Sequence, residues 1–169
     1  MAVRPIVIYG DPVLREQAAP VANVNQEIRD LVSDMTDTLK DAQGLGLAAP
    51  QVGVSKRVFL VDLSAVDITE KLHVFINPEI LETTDEVEME EGCLSFPGIY
   101  QKIVRPAQVK IRATNLDGKE FEMTATGLAA RAILHEFDHL EGKLFIDYIS
   151  PIAKTLLKGR LKKLSAAAS

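Results

Sequence analysis

At 169 residues, with 47% hydrophobic and 25% charged side chains, the chain has the make-up of one soluble globular domain, which excludes disordered and coiled-coil readings. A formal net charge of -5 argues against a nucleic-acid-binding surface over the whole molecule, and no apolar run is long enough to span a bilayer. A single cysteine, Cys93, makes no internal disulfide and is either a small buried apolar residue or a functional thiol.

The opening MAVRPIVIYGDP lacks the layout of a secretory signal, so the expected location is the cytoplasm, with neither membrane nor DNA as a partner. Val24, Ile28, Leu31, Val32, Met35 and Leu39 recur at helical spacing and predict an amphipathic helix over about residues 25–41, ending before Gly44. The segment G-L-G-L-A-A-P-Q, from Gly44 to Gln51, reads as a loop whose backbone can approach a ligand closely; it lacks the G-x-G-x-x-G spacing of dinucleotide sites. Strands are predicted at RVFLVDL from Arg57, HVFINPEI from His73, VKIRAT from Val109 and KEFEMTAT from Lys119. Asp117-Gly118 marks a hairpin between the last two. The acidic run from Glu82 to Glu91 reads as a solvated edge.

From Gly127 to about Leu140 the spacing is helical again, and Gly142 suits its stop. A last helix is predicted from Pro151 to Leu164, with Leu157, Leu161 and Leu164 on one side and Lys154, Lys158, Arg160, Lys162 and Lys163 as a basic face. No repeat or linker divides the chain. One domain over residues 1–164 is expected, followed by a short flexible Ser/Ala tail at 165–169.

The chemistry is signalled by H-E-F-D-H. Residues four apart share a helix face, so His135 and His139 can reach one divalent metal while Glu136 leans toward its open position. A catalytic site of this kind needs a third protein ligand. The metzincin extension fails because Phe145 stands where its last histidine belongs, although Gly142 matches. A downstream glutamate is lacking after Glu141, with Asp147 the only later carboxylate. Upstream, His73 and Cys93 remain. Cys93 is favoured, since thiolate is a strong ligand for borderline-soft metals and Gly92 beside it allows close backbone approach. Two rivals stand beside a hydrolase of this design: a small metallopeptidase, which would want a third His or Glu ligand, and a silent metal module closed by a fourth protein ligand, for which the chain offers His73.

Taken together, G-L-G-L-A-A-P-Q, E-G-C-L-S and H-E-F-D-H-L-E-G, in that order and spacing, closely resemble the peptide deformylases. Asp11-Pro12-Val13-Leu14-Arg15, Ile76-Asn77-Pro78 and Leu144-Phe145-Ile146-Asp147-Tyr148 extend the resemblance along the chain. It implies an α+β fold of mostly antiparallel strands around a central metal-binding helix, with a C-terminal helix. The implied activity is removal of the formyl group from the N-terminal methionine of newly made proteins, with release of formate. Cys93, His135 and His139 would hold the metal, Fe(II) natively with zinc, nickel or cobalt as substitutes; a thiolate beside Fe(II) is open to oxidation. Metal-activated water would attack, Glu136 would serve as general base and acid, and Gln51 with the Leu94 backbone N–H would stabilise the oxyanion. The formyl peptide would pair with backbone around Leu45, Gly46 and Gly92. Its first side chain would enter a pocket of Leu45, Met89, Leu128, Arg131 and Ala132. Arg131 departs from the aliphatic residue the resemblance implies; its stem would line the pocket with the guanidinium in solvent, or it would shift selectivity. Glu91 would pair with Arg105 and orient the cysteine segment. The basic C-terminal face would dock on ribosomal RNA.

Overall fold

The computed structural model describes residues 2–168. The first long element is α1 (Gln26–Ala42), where the Asn25 side chain caps the start by accepting from the Ile28 N–H, and Gln43, in the left-handed region at φ 55°, ends it. Then come β1 (Gly46–Ala48), β2 (Val58–Asp62), β3 (Leu72–Thr84), β4 (Val87–Gly92), β5 (Tyr100–Arg105), β6 (Gln108–Thr114), β7 (Glu120–Thr126), α2 (Gly127–Leu140) and α3 (Pro151–Ala168). Every ladder is antiparallel. Five strands form one sheet in the order β1-β2-β3-β6-β7, while β4 and β5 form a separate two-stranded ribbon.

The period of two in β2 explains the layering. Phe59 and Val61 point to one side, where Phe75, Ile111 and Ala113 meet Ala130, Ile133 and Leu134 of α2. Val58 and Leu60 point to the other, against Ile28, Leu31, Val32, Met35 and Leu39 of α1. A strand covered on both faces needs an unbroken apolar run, and V-F-L-V supplies it. Thus α2 lies buried at the centre, as the α+β expectation requires. A third cluster of Leu14, Phe96, Ile99, Ile103, Phe145, Ile149 and Leu157 seats the ribbon against the chain after α2 and the buried side of α3, with Leu161 and Leu164 packed on it.

The structure departs from the sequence reading in three places. Gly46–Ala48, read as loop, pairs with β2 as the edge strand β1. The acidic run is solvated from Glu82 to Glu90 as expected, but it also supplies a strand not foreseen, spanning the end of β3, a turn through Asp85 at φ 57°, and most of β4. Lastly α3 continues to Ala168 through residues assigned to the tail, and Ser165 sits so close to Gly10 that a Cβ there would lie 2.6 Å from Ser165 Cα; Ser169 lies outside the described residues. Among the described residues no helix is long and apolar enough to cross a membrane.

Candidate active site

Helix α2 runs through the core, so its charged and imidazole side chains are buried by the fold: His135, Glu136 and His139 are all below a tenth exposed. Their four-residue spacing stacks the two imidazoles, with ring centroids 5.0 Å apart. Cys93 follows the last residue of β4, and its Sγ lies 3.4 Å from His139 Nε2. The sulfur and one nitrogen from each histidine all fall within 4.8 Å of one another. Ligands of one tetrahedral ion with metal–S near 2.3 Å and metal–N near 2.0 Å sit roughly 3.5 Å apart, so the donors fit a shared cation of the zinc or iron type. Among the described residues this is the one group of three or more His, Cys, Asp or Glu side chains that fits an ion. His73 stands apart on β3, its Nε2 3.4 Å from Glu70. Among the described residues no fourth His, Cys, Asp or Glu joins this group.

The orientation of His135 is set from behind. Its Nδ1 lies 2.6 Å from Glu91 Oε2, and with the N–H donating there the opposite nitrogen keeps its lone pair for a metal. Glu91 is itself gripped by Arg105 through two parallel bonds of 2.7 Å, from Nε and Nη2. Burial pushes the Glu91 carboxyl up, but the bonds from Arg105 and His135 outweigh it and hold the group well below the usual carboxylate range. Glu91 is therefore a permanent acceptor.

Arg131 corrects the sequence expectation. Its guanidinium does not reach solvent: the residue is 3% exposed, Nη1 donates to Glu91 Oε1 at 3.0 Å, and Nη2 donates to the Val87 carbonyl at 2.8 Å. Met89 is the second correction. It stands 37% exposed on β4 across from Ile103 and is not among the residues lining the cavity beside the histidines.

That cavity measures about 400 Å³. Leu45 and Gly46 form one wall, Gly92, Cys93 and Leu94 another, and Leu128, Arg131 and Ala132 from α2 a third. Gln51, His135 and Glu136 reach it as well. A Cβ on Gly46 would lie 2.7 Å from Glu136 Oε2, so only glycine lets β1 pass beside this carboxylate. Glu136 Oε1 is buried with no hydrogen-bond partner, so the carboxylate keeps an unused acceptor. Burial pushes the carboxyl up to about 7, against the opposing pull of His135, which suits a group that takes and returns a proton.

Gln51, 1% exposed, is locked in one amide orientation: the Ala48 N–H donates to its Oε1 at 3.0 Å, and its Nε2 donates to Ser95 Oγ at 3.1 Å, with Cys93 Sγ at 3.6 Å. The NH₂ thereby faces the cysteine side of the cavity. Sequence reasoning overlooked two supporting groups. Ser95 was visible only as the end of E-G-C-L-S. Asp138, between the histidines, accepts from Arg105 Nη1 at 2.9 Å and from the Tyr148 hydroxyl at 2.7 Å, links made across elements that carry no local signal. On α3, Lys154, Lys158, Arg160, Lys162 and Lys163 are exposed, outside this cavity.

Comparison with known proteins gives a consistent result. The polypeptide deformylase family model matches residues 3–155. A peptide deformylase of Acidobacterium capsulatum is 48% identical over 167 residues, covering 99% of this chain and 98% of the relative. A solved peptide deformylase of Legionella pneumophila superposes with a TM-score of 0.90 at 42% identity, over 98% of this chain and 97% of the other. That of Thermus thermophilus gives 0.91 at 35% identity, over 99% of this chain and 100% of the other.

Proposed function

Because this chain belongs to the polypeptide deformylase family, whose members are metal-dependent hydrolases, we propose that Cys93, His135 and His139 hold one divalent metal with which it removes the N-formyl group from the N-terminal methionine of newly made proteins. The observation that carries the assignment is the grouping of three metal-type donors within 4.8 Å of one another, two of them, Cys93 and His135, lining a cavity that Glu136 and the oriented Gln51 amide also line. The thiolate-plus-imidazole set suits Fe(II) as the native ion, with zinc, nickel or cobalt as substitutes.

When bound, the metal supplies Lewis acidity, polarising the formyl carbonyl and making water a nucleophile near neutral pH. Glu136 takes the proton of the attacking water and passes it to the departing amine, so that the C–N bond breaks to give a neutral amine, not an amide anion, and formic acid, which ionises to formate by losing its proton to solvent. Gln51 Nε2 and the Leu94 backbone N–H donate to the oxyanion, and an amide already fixed by Ala48 and Ser95 need not reorganise as charge develops. The formyl peptide lies extended, pairing with backbone at Leu45, Gly46 and Gly92, a mode that tolerates many sequences. Its methionine side chain packs on Leu45, Leu128 and Ala132.

The substrate is made on ribosomes, so the protein works in the cytoplasm, and the five exposed cations of α3 suit docking on ribosomal RNA. Formate release from a formyl-Met-Ala-Ser peptide, beside its acetylated counterpart, tests the activity: only the formyl peptide is hydrolysed. Glu136→Gln is expected to lower kcat by about 10²–10⁴-fold while the protein keeps its metal. Equal turnover of both peptides, or a Gln variant as active as wild type, would refute the assignment.

A further inference from the structure

Arg131 is the one buried cation whose role the reaction above leaves unexplained. It lies one turn before His135 on the same face of α2, and its terminal nitrogens are used on β4 at two points: the Val87 carbonyl at 2.8 Å and Glu91 Oε1 at 3.0 Å. These points are the first residue of β4 and its last but one, and Cys93 follows directly. The helix that carries both nitrogen ligands is thereby clamped to the strand that delivers the sulfur.

The charges agree. Glu91 and Asp138 bring two negative charges to the cluster, and Arg105 bonds to both. Without Arg131 the two carboxylates would share one guanidinium; with it, each is matched by one. Each oxygen of Glu91 then has two donors, Arg105 Nε and Arg131 Nη1 on Oε1, Arg105 Nη2 and His135 Nδ1 on Oε2, so the carboxylate cannot rotate without breaking a bond. Both terminal nitrogens of Arg131 are thus spent on β4, and neither is left for a ligand in the cavity.

We propose that Arg131 is a positioning residue that fixes the His135 ring and the cysteine strand relative to one another for metal binding, and that it does not select the substrate side chain. The inference rests on the metal site proposed above. It is tested with Co(II)-loaded protein, wild type against Arg131→Met, which keeps the stem and removes the donors, and Arg131→Lys, which keeps the charge and loses the fork. Arg131→Met is expected to shed Co(II) to a chelator about 10–100-fold faster, with a shifted ligand-field spectrum, and Arg131→Lys about three- to tenfold faster. In both, kcat falls while KM for formyl-Met-Ala-Ser stays within about twofold, and the ranking of formyl-Met over formyl-norleucine peptides is unchanged.

A wild-type Co(II) half-life and spectrum in Arg131→Lys would overturn the proposal even if the Met variant fails to fold. So would a changed substrate ranking with metal retention intact. Failure of the underlying metal site looks different: the wild-type protein itself would then show no thiolate-to-Co(II) charge-transfer band.

Discussion

The two halves of the site are built by opposite means. His135, His139 and Glu136 stand on a helix pressed against the five-stranded sheet, held by Phe59, Val61, Phe75, Ile111 and Ile133, all fully buried. Glu91 stands on β4 of the two-stranded ribbon, with Cys93 just after it; Glu88, Met89 and Glu90 are exposed, Ile103 packs into the third apolar cluster, and Glu91 and Arg105 are the ribbon's buried charged residues. The first half is fixed by apolar packing, which is non-directional and tolerant of small changes. The second is tied to α2 by charge-assisted hydrogen bonds, which are directional and fail badly when one partner goes. A metal ligated from both halves must read out their relative position.

The largest break in that comparison is expected from Glu91→Leu. It leaves the Arg105 and Arg131 guanidiniums buried together without their shared acceptor and frees the His135 ring. Loss of a buried partner of this kind costs about 3–5 kcal/mol, and loss of a hydrogen bond behind a metal ligand costs about 10–100-fold in metal affinity. Chemical denaturation of the apoprotein and metal titration measure the two separately. A variant that kept wild-type metal affinity would mean that His135 is oriented by its helix alone.

Ile133→Val sharpens the contrast from the other side. One methyl group is removed from a fully buried position on α2, in the same helical turn as His135, so about 1 kcal/mol and about 2–4 °C in Tm should be lost. Metal content and kcat should not change, because the packing that holds the helix is spread over many contacts. Metal analysis by mass spectrometry with a formate assay checks this. A loss of bound metal comparable to that of Glu91→Leu would erase the distinction between the two halves.

The same difference governs what could be read from the sequence. The packed half was legible: H-E-F-D-H on a helical pattern, the V-F-L-V run of β2, and the Asp117-Gly118 turn, where Gly118 takes φ 77° and Asn115 Oδ1 accepts from the N–H groups of Asp117 and Lys119. Apolar periodicity is a local record of burial, so it survives in one dimension. The ribbon was not legible. V-E-M-E-E-G alternates only from Val87 to Glu90 and then breaks at Glu91, the one buried residue of the run, satisfied by Arg105 from fourteen residues away and Arg131 from forty. Nothing local marks such a glutamate as buried, and the same blindness sent Arg131 to solvent and Met89 into the pocket. Gly46–Ala48 is a strand only because β2 pairs with it, and three residues leave no periodicity to detect.

A last contrast holds geometry constant and varies burial. Arg15 binds Asp147 through two parallel bonds, Nη1 to Oδ2 at 2.8 Å and Nη2 to Oδ1 at 3.0 Å, close to the arrangement between Arg105 and Glu91. Yet the side chains of Arg15 and Asp147 are 46% and 35% exposed, against 5% and 6% in the ribbon pair. Burial pushes the Asp147 carboxyl up, and the bonds from Arg15 and from the Leu144 N–H more than reverse it, leaving it below its ordinary value of 3.8. A carboxylate with a depressed folded-state value stabilises above the unfolded value and loses that contribution as pH falls through the folded one. Arg15→Met should therefore cost no more than about 1 kcal/mol at neutral pH, since solvent screens the pair. The gap from wild type should narrow as the pH drops below 3.8, with metal affinity unchanged throughout. Denaturant melts of the two proteins at about pH 7 and about pH 3, on either side of the ordinary carboxylate range, measure it. A gap that stayed constant with pH would mean that Arg15 acts by packing its stem against the chain after α2 and not by its charge.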